Sequence, residues 1–395
     1  MFKNPLRTLN LAVFLQQQRY IVAITLLFYL ENGLTFSDFL LFQSVFYFTN
    51  LIAEVPAGYI GDIFNRKYVL IFSYLLFVVR IILWIVIPNY CTILLGEILY
   101  GLSKAFYRGV SDGYIYDYLR EYKTTNWMLS KYGKFNFFMS LGSAVSCLIG
   151  AVLYQHFGFI VLLSIELLCN STAIVLISKL PKLNQIHPKI RFTEHLQNIY
   201  KITKQVTANS KLNIYMLYAG ILTGFTSIFV WNFQPIMKQF EMPAILFGFV
   251  YFINHILRAA GSICSPNVIN KFTIHKTGFA VWITYLLCLI CMLNIIKFQS
   301  VYLCLAGLLF ICVAIGFQMT FNIGNLARIH KLVSSKSRAT VSSFNSMLAS
   351  FFSGLFLYAF KSVTTYFNSY TALVCFTFVF IFVFFIANNI RNNQT

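Results

Sequence analysis

The chain has 395 residues, of which 58% are hydrophobic and 10% are charged, and its mean hydropathy is +0.72. This composition is too hydrophobic and too poor in charge for an ordinary soluble domain. Because one membrane-spanning helix needs about 20 apolar residues, the chain is long enough for about twelve such helices with connecting segments. The net charge of +19 would favour nucleic-acid binding in a soluble protein, but here the basic residues lie in short segments between apolar runs. We therefore expect a polytopic membrane protein with no nucleic-acid partner.

Apolar runs separated by glycine, proline, asparagine and charged residues predict two groups of six spans. The first group covers residues 10–31, 38–59, 67–87, 91–118, 134–155 and 158–179. The second group covers residues 213–235, 245–267, 277–297, 299–323, 339–361 and 367–388. A polar, basic segment separates the groups, which divides the chain into an N-terminal bundle (1–180), a cytoplasmic connecting loop (181–212) and a C-terminal bundle (213–395). The predicted fold is an all-α membrane protein with twelve transmembrane helices in two six-helix, pseudo-symmetric bundles.

The distribution of lysine and arginine predicts the orientation of the chain. Most of them fall in segments on one side of the membrane, and the other side carries only Lys238, Lys297 and Lys361. Because cytoplasmic loops retain basic residues, we expect both termini in the cytoplasm and the chain in the inner cell membrane. The first apolar stretch lacks a small-residue cleavage site, so we expect it to remain as a helix.

The sequence offers no pattern for a metal centre, a cofactor or an enzyme active site. The nine cysteines have no spacing typical of a disulfide framework, and Cys288 and Cys291 form a CxxC within a span rather than beside a strand. The phosphate-binding pattern GxxxxGK[ST] and the metalloprotease pattern HExxH do not occur in the sequence. We therefore expect a protein that is not an enzyme and has no cofactor.

Charged residues within the predicted spans indicate a functional site. A basic residue at a helix centre costs about 2.5–3.5 kcal/mol on insertion scales, so we expect such residues to pair with acids or to line a water-filled cavity. The basic residues are Arg19, Arg80, Lys104, Arg108 and Arg258, and the candidate acidic partners are Glu54, Glu97, Asp112, Asp117 and Glu166. Arg80 and Glu97 lie near the outer ends of their spans and predict a structural ion pair.

Span four concentrates these charges on one face. Lys104, Arg108 and Asp112 are four residues apart in succession, which places them on one helical stripe. The stripe either faces a central cavity, where it handles the charge of a substrate or a proton, or Arg108 and Asp112 simply neutralise each other.

Polar residues at mid-depth in other spans complete the predicted substrate and ion pathway. They are Gln16 and Arg19 in span one, Asn232 and Gln234 in span seven, and His255 and Arg258 in span eight. For His255 the alternative is a hydrogen-bonded packing residue, and for Asn232 and Gln234 it is a capping role near Pro235, which we expect to end span seven.

The segment after span two carries a recognisable motif. Residues 54–67 read EVPAGYIGDIFNRK, which resembles the G-x-x-x-D-x-x-x-R-K/R signature of the major facilitator superfamily. The lead-in E-x-P-x-G resembles that of an efflux-type branch. Further similarity lies in residues 101–117 (GLSKAFYRGVSDGYIYD), 231–235 (WNFQP) and 338–340 (RAT). The resemblance implies the fold of that family and secondary active transport.

The resemblance also implies a gating role for this motif. The gating residues would be Gly58, Asp62, Arg66, Lys67 and Arg338, with Asp62 meeting the start of span eleven and latching the cytoplasmic gate in the outward-open state. Physically, Gly58 and Gly61 permit close backbone approach, and an anion such as Asp62 is favourable at a helix N-terminus. The alternative is a tight turn that carries positive-inside charge.

The leading functional hypothesis is proton-coupled export of a small amphipathic compound, such as a drug, antibiotic, peptide-like toxin or siderophore. Asp112 or Glu54 would be the proton-handling carboxylate. The alternative is uptake of an organic or phosphorylated anion, which the basic residues at mid-depth favour. A non-transporting membrane receptor with the same fold is a third hypothesis. The expected partners are a small-molecule substrate, H⁺ and the lipid bilayer, and we expect a monomer to be functional.

Overall fold

The computed structural model describes residues 5–121, 128–183, 193–194, 197, 204, 209–333 and 338–392. All regular structure in these residues is helical. Among them, seven helices are long and apolar enough to cross a membrane by length and composition. The chain is therefore an all-helical, multi-pass membrane protein, as the sequence predicts.

One of the two compact units of the chain consists of residues 1–34, 45–197 and 244–255. Its helices are α1 (Pro5–Gln16), a 3-10 turn (Val22–Ile24), α2 (Thr25–Glu31), most of α3 (Phe36–Ile63), α4 (Arg66–Val86), α5 (Tyr90–Glu121) and α6 (Met128–Ser178). Helix α4 packs against α5 and α6, and α1 packs against α6. The side chain of Asn65 caps α4 by accepting the backbone N–H of Lys67 at 3.1 Å, which satisfies a donor that the first turn leaves free.

The other unit consists of residues 35–44, 198–243 and 256–395. Its helices are α7 (Ser210–Gln239), α8 (Ala244–Phe298), α9 (Val301–Lys331), α10 (Arg338–Tyr366) and α11 (Ser369–Asn392). The first part of α8, residues 244–255, belongs to the other unit. Phe225 contacts Phe356 and Phe380 with ring centroids 4.9 and 4.7 Å apart. Ser227 donates to Ser353 at 2.8 Å. Dense ring packing and hydroxyl bonds of this kind hold helices together where lipid provides no hydrophobic drive.

Two helices are too long for a single crossing and contain a break. Helix α6 has 51 residues, about 75 Å, against a hydrocarbon core of about 30 Å. It breaks at Gly158, with φ 72° and ψ −175°, and α8 breaks at Thr273, with φ 61° and ψ 155°. These breaks separate predicted spans five and six and predicted spans eight and nine, so the observed helices fit the predicted twelve-span pattern.

The structure corrects two helix boundaries. Predicted span one (10–31) is not one helix, because α1 ends at Gln16 and α2 begins only at Thr25. Pro235 does not end span seven: α7 continues through it to Gln239.

The division of the chain at 180 and 212 stays a prediction, and most of the connecting loop lies outside the described residues. All nine cysteines are free thiols, and Cys91, Cys264 and Cys375 are exposed.

Candidate functional site

The first span is interrupted where the sequence becomes polar. Helix α1 ends at Gln16, and helical hydrogen bonding resumes with the 3-10 turn at Val22–Ile24. Between them, in the segment Gln17–Ile21 that we name the break, the amide of Arg19 bonds to the carbonyl of Gln17 at 2.8 Å. At membrane depth, non-helical backbone is tolerated only where it is buried in protein or lines a water-filled cavity. A discontinuous helix is also a common substrate-site device in transporters.

Helix α6 supports the break at two points. The buried carboxylate of Glu166 accepts the backbone N–H of Ile21 at 3.3 Å, which satisfies a donor that the break removes from helical bonding. Gly150 permits the closest approach, since a β-carbon there would lie 2.0 Å from the carbonyl oxygen of Tyr20. The position of the break is therefore fixed by a neighbouring helix as well as by its own sequence.

Glutamine side chains form a hydrogen-bonded row beside the break. Gln16 and Gln17 are buried, and Gln17 Nε2 donates to Gln16 Oε1 at 2.7 Å. Gln17 Oε1 in turn accepts from Ser143 Oγ at 3.1 Å and from Arg19 Nη2 at 3.0 Å. Buried amides need such partners to offset desolvation, so this row orients the guanidinium of Arg19.

The Arg19 guanidinium is held by neutral acceptors. Its Nη1 donates to the hydroxyl of Tyr100 on α5, and the Tyr100 ring stacks on Phe46 with centroids 4.6 Å apart. The Arg19 Nε is buried and has no hydrogen-bond partner among the described residues. An ionised group with a free buried donor is costly unless a ligand or water completes its bonding.

Lys104 lies one helical turn beyond Tyr100 and continues the basic surface. Its Nζ lies 5.7 Å from the ring centroid of Tyr100 and 5.8 Å from that of Tyr107. The positive charges of Arg19 and Arg108 repel the Lys104 ammonium group. Cation–π contacts of this kind stabilise a cation only partly. We name Arg19, Lys104 and Arg108 the basic cluster.

The basic cluster has no acidic partner in the part of the chain that the structure describes: no carboxylate oxygen lies within ion-pair distance of its nitrogen atoms. Arg108 and Asp112 form no ion pair among the described residues, and their mutual neutralisation stays an untested alternative. Arg108 is exposed, and Asp112 is half-buried. The predicted stripe thus carries excess positive charge.

A second cluster of charged residues is buried, and in it one arginine is paired with two acids. Arg80 on α4 lies 3.5 Å from Glu97 on α5 and 3.8 Å from Glu166 on α6, which confirms the predicted pair with Glu97 and supplies a partner for Glu166. The guanidinium also lies 3.8 Å from the ring centroid of Trp84, and Tyr29 on α2 donates to Glu97 at 2.9 Å. This network links four helices through paired, desolvated charges.

The loop motif after span two takes part in a pairing that the sequence did not predict. Arg66 bonds to the buried carboxylate of Asp117 on α5 and to the Gly113 carbonyl at 2.8 Å. Asp62 lies 3.8 Å from Arg66, and its side chain is 55% exposed. Arg120 also lies 3.3 Å from Asp117. The principal anion for Arg66 is therefore Asp117.

The motif glycines differ in their surroundings. A β-carbon at Gly61 would meet Val110 Cγ2 at 2.8 Å, whereas a β-carbon at Gly58 has open space around it in the described structure. Gly61 therefore admits a side chain of α5 at close range, and the predicted close backbone approach at these two glycines stays a prediction. Lys67 is half-buried at the start of α4.

The other predicted residues have surroundings of their own. Asn232 is buried and donates to the Ile228 carbonyl of its own helix at 2.8 Å, and Gln234 is buried beside Pro235. Arg338 donates to the His330 carbonyl at the end of α9 at 3.2 Å. Glu54, His255 and Arg258 are half-buried. Their roles in a pathway or gate stay predictions.

Sequence reasoning missed three partners. Glu166 is one of the candidate acids, but the sequence does not indicate that its partner is Arg80, although an acid within an apolar span is itself a signal. Asp117 lies in the span-four stretch that resembles the family, but its pairing with Arg66 depends on the packing of α4 against α5. Tyr100 gave no signal, because tyrosine is frequent in this chain.

The model of the major facilitator superfamily matches residues 9–357. The chain belongs to this superfamily. Solved structures of several transporters share its fold. The nucleoside transporter NupG has 12% identity and a TM-score of 0.79, covering 98% of this chain and 99% of NupG.

Two further solved structures have comparable identity and coverage. The POT family transporter PepTSo has 14% identity and a TM-score of 0.76, covering 100% of this chain and 99% of its own. A D-xylose–proton symporter has 13% identity and a TM-score of 0.68, with 95% of both chains covered. No curated protein sequence matches the chain. At identities this low, the likeness shows the fold alone and leaves the substrate open.

Proposed function

We propose that this superfamily member is a secondary transporter of an amphipathic organic anion, and that the basic cluster binds the anionic group. The observation that carries the proposal is the absence of an acidic partner for Arg19, Lys104 and Arg108 among the described residues. Unneutralised cations at bilayer depth are costly. A bound anion removes part of that cost, so the affinity for the anion depends on the positive charge of the cluster.

Aromatic rings next to the cluster favour an amphipathic substrate. Tyr100 stacks on Phe46, and Tyr100 and Tyr107 flank the Lys104 amine. Ligand sites commonly combine apolar and aromatic walls with a few placed polar groups. An anion that carries an apolar or aromatic body fits this surface better than a small inorganic anion.

For direction and coupling we propose proton-coupled export across the cell membrane, with both termini cytoplasmic. The support is the resemblance of residues 54–67 to an efflux-type branch and the basic residues on the inner side. Proton coupling is supported by carboxylates within the spans, with Asp112 and Glu54 among the candidates. A proton symporter occurs among the superfamily members of similar fold.

Uptake of an organic or phosphorylated anion is the second candidate. The same basic cluster favours it, since arginine and lysine both bind phosphate well. It differs from the first candidate only in direction and in the size of the apolar part of the substrate. A non-transporting receptor is the third candidate, and it would bind a ligand without moving any solute.

From the resemblance we also propose that the loop motif gates transport through Asp62 and Arg338. Asp62 is exposed, and Arg338 lies at the start of α10. A helix N-terminus favours an anion. The substitution Asp62→Asn would then slow transport while leaving ligand binding intact, and unchanged transport rates in that variant would remove the gate from the proposal.

Ligand-induced thermal stabilisation of the purified protein tests the anion proposal. A ligand that binds only the folded state raises its stability, by about 2.7 kcal/mol at 100 times Kd. We expect aromatic carboxylates and sugar phosphates to raise Tm, and uncharged or cationic analogues of the same size to have no effect. Arg19→Gln and Lys104→Gln should abolish the shift, whereas Lys134→Gln, at an exposed site on α6, should retain it. Equal stabilisation by cations would contradict the proposal.

A further inference from the structure

One buried acid joins the broken span to the charged network and has no part in binding the anion. Glu166 on α6 is fully buried. Its carboxylate accepts the N–H of Ile21 at 3.3 Å and lies 3.8 Å from Arg80. The same group thus contacts both the backbone of the break and the central cation of the network.

Among the described residues, the charged or titratable groups that interact with Glu166 lie on α4, on the break and on its own helix. Arg80 faces it from α4, Arg19 and Tyr20 from the break, and Cys169 from its own helix. Beyond Arg80 lies Glu97 on α5, 3.5 Å away from the guanidinium. Glu166 therefore competes with Glu97 for one cation, and loss of its charge leaves that cation with the other acid.

We propose that Glu166 is the proton-binding residue that couples protonation to the conformation of the break. The ionised carboxylate holds the Ile21 N–H and Arg80. When it takes a proton, its hydrogen bond to the N–H weakens and Arg80 turns to Glu97 alone. The break is then less constrained, and Arg19, two residues from Ile21, changes its orientation toward the substrate.

The inference rests on the proposed transport function, for which it supplies the coupling site in place of Asp112 or Glu54. The geometry distinguishes these acids, since Glu166 bonds directly to the discontinuous backbone. Protonation of Glu166 acts on the segment that carries Arg19 and so changes the affinity for the anion. By thermodynamic reciprocity, a bound anion changes the proton affinity of Glu166 by the same factor.

Hydrogen–deuterium exchange of the purified full-length protein tests the coupling without any substrate. Exchange of the amides at 17–24 is corrected for the intrinsic effect of pH with an unstructured reference peptide. In the unmodified protein, lowering the pH from about 8 to about 5 should accelerate the corrected exchange roughly tenfold.

Two variants identify the responsible acid. Glu166→Gln keeps an oxygen that accepts the Ile21 N–H but does not titrate, so the pH-dependent acceleration should disappear. Glu97→Gln, the matched control, removes the other partner of Arg80 without touching the break and should retain the acceleration. The same acceleration in Glu166→Gln, or none in the unmodified protein, would overturn the proposal.

A measurement on the unmodified protein covers the case in which Glu166→Gln does not fold. Dicyclohexylcarbodiimide, an apolar reagent, modifies protonated carboxyl groups, and mass spectrometry locates the adduct. We expect modification of Glu166 at about pH 5 and protection at about pH 8. No adduct at any pH would contradict proton binding there. Because neither measurement uses an anion, failure of the anion proposal in the thermal experiment stays distinguishable from failure here.

Discussion

At the scale of single residues, the Tyr100 hydroxyl fixes the Arg19 guanidinium in the basic cluster. Tyr100→Phe removes the acceptor for Arg19 Nη1 and keeps the ring that stacks on Phe46. A hydrogen bond to a charged group contributes about 1.5–3 kcal/mol, so we expect anion affinity to fall by roughly tenfold or more. The affinity is measured from the rise in Tm as the anion concentration is increased. Tyr116→Phe, at an exposed ring on α5, is the control and should bind as before.

Asp117 and Asp62 illustrate how burial determines the contribution of an ion pair to stability. Asp117 is buried against Arg66 and Arg120, whereas Asp62 is largely exposed. Removing one partner of a buried pair costs about 3–5 kcal/mol, and an exposed pair contributes at most about 1 kcal/mol. We expect Asp117→Asn to lower Tm by several degrees and Asp62→Asn to leave it nearly unchanged, as thermal unfolding in detergent will measure. Equal losses in both variants would refute this assignment.

At the scale of helices, composition and hydropathy predicted the spans well, because the bilayer fixes their length. The break could not be predicted in the same way. The row Gln16–Arg19 signals polarity at mid-depth, but only Glu166 and Gly150 on α6 show that the backbone leaves the helix there. The continuation of α7 past Pro235 was missed for a related reason: proline is tolerated in spans when neighbouring groups satisfy the freed carbonyl.

Close packing of α6 against the break is testable at Gly150. A β-carbon there would lie 2.0 Å from the Tyr20 carbonyl oxygen, so Gly150→Ala forces the two backbones apart. We expect a loss of stability of about 1–3 kcal/mol, as in other overpacked sites, and faster deuterium exchange at 17–24. Gly133→Ala, where the structure leaves open space on the same helix, should change neither property. Slower exchange in Gly150→Ala would show that the break is not held by this contact.

At the scale of the whole molecule, the proposed direction of transport follows from a resemblance and needs a measurement of its own. Cells that lack the protein should accumulate the transported anion inside if the protein exports it, and should be depleted of it if the protein imports it. Comparative metabolite profiling of cells with and without the gene makes this comparison. Because a missing transporter also perturbs metabolism indirectly, cells that carry Arg19→Gln provide the matched control.

These control cells keep the folded protein in the membrane while its anion site is impaired. A compound that accumulates both without the protein and with Arg19→Gln is a transport substrate, since a change in cell physiology unrelated to transport would not follow the charge of one side chain. Purified protein in liposomes should then move that compound under a proton gradient without ATP. If liposomes bind the compound but move neither it nor protons, the protein is a receptor with a transporter fold.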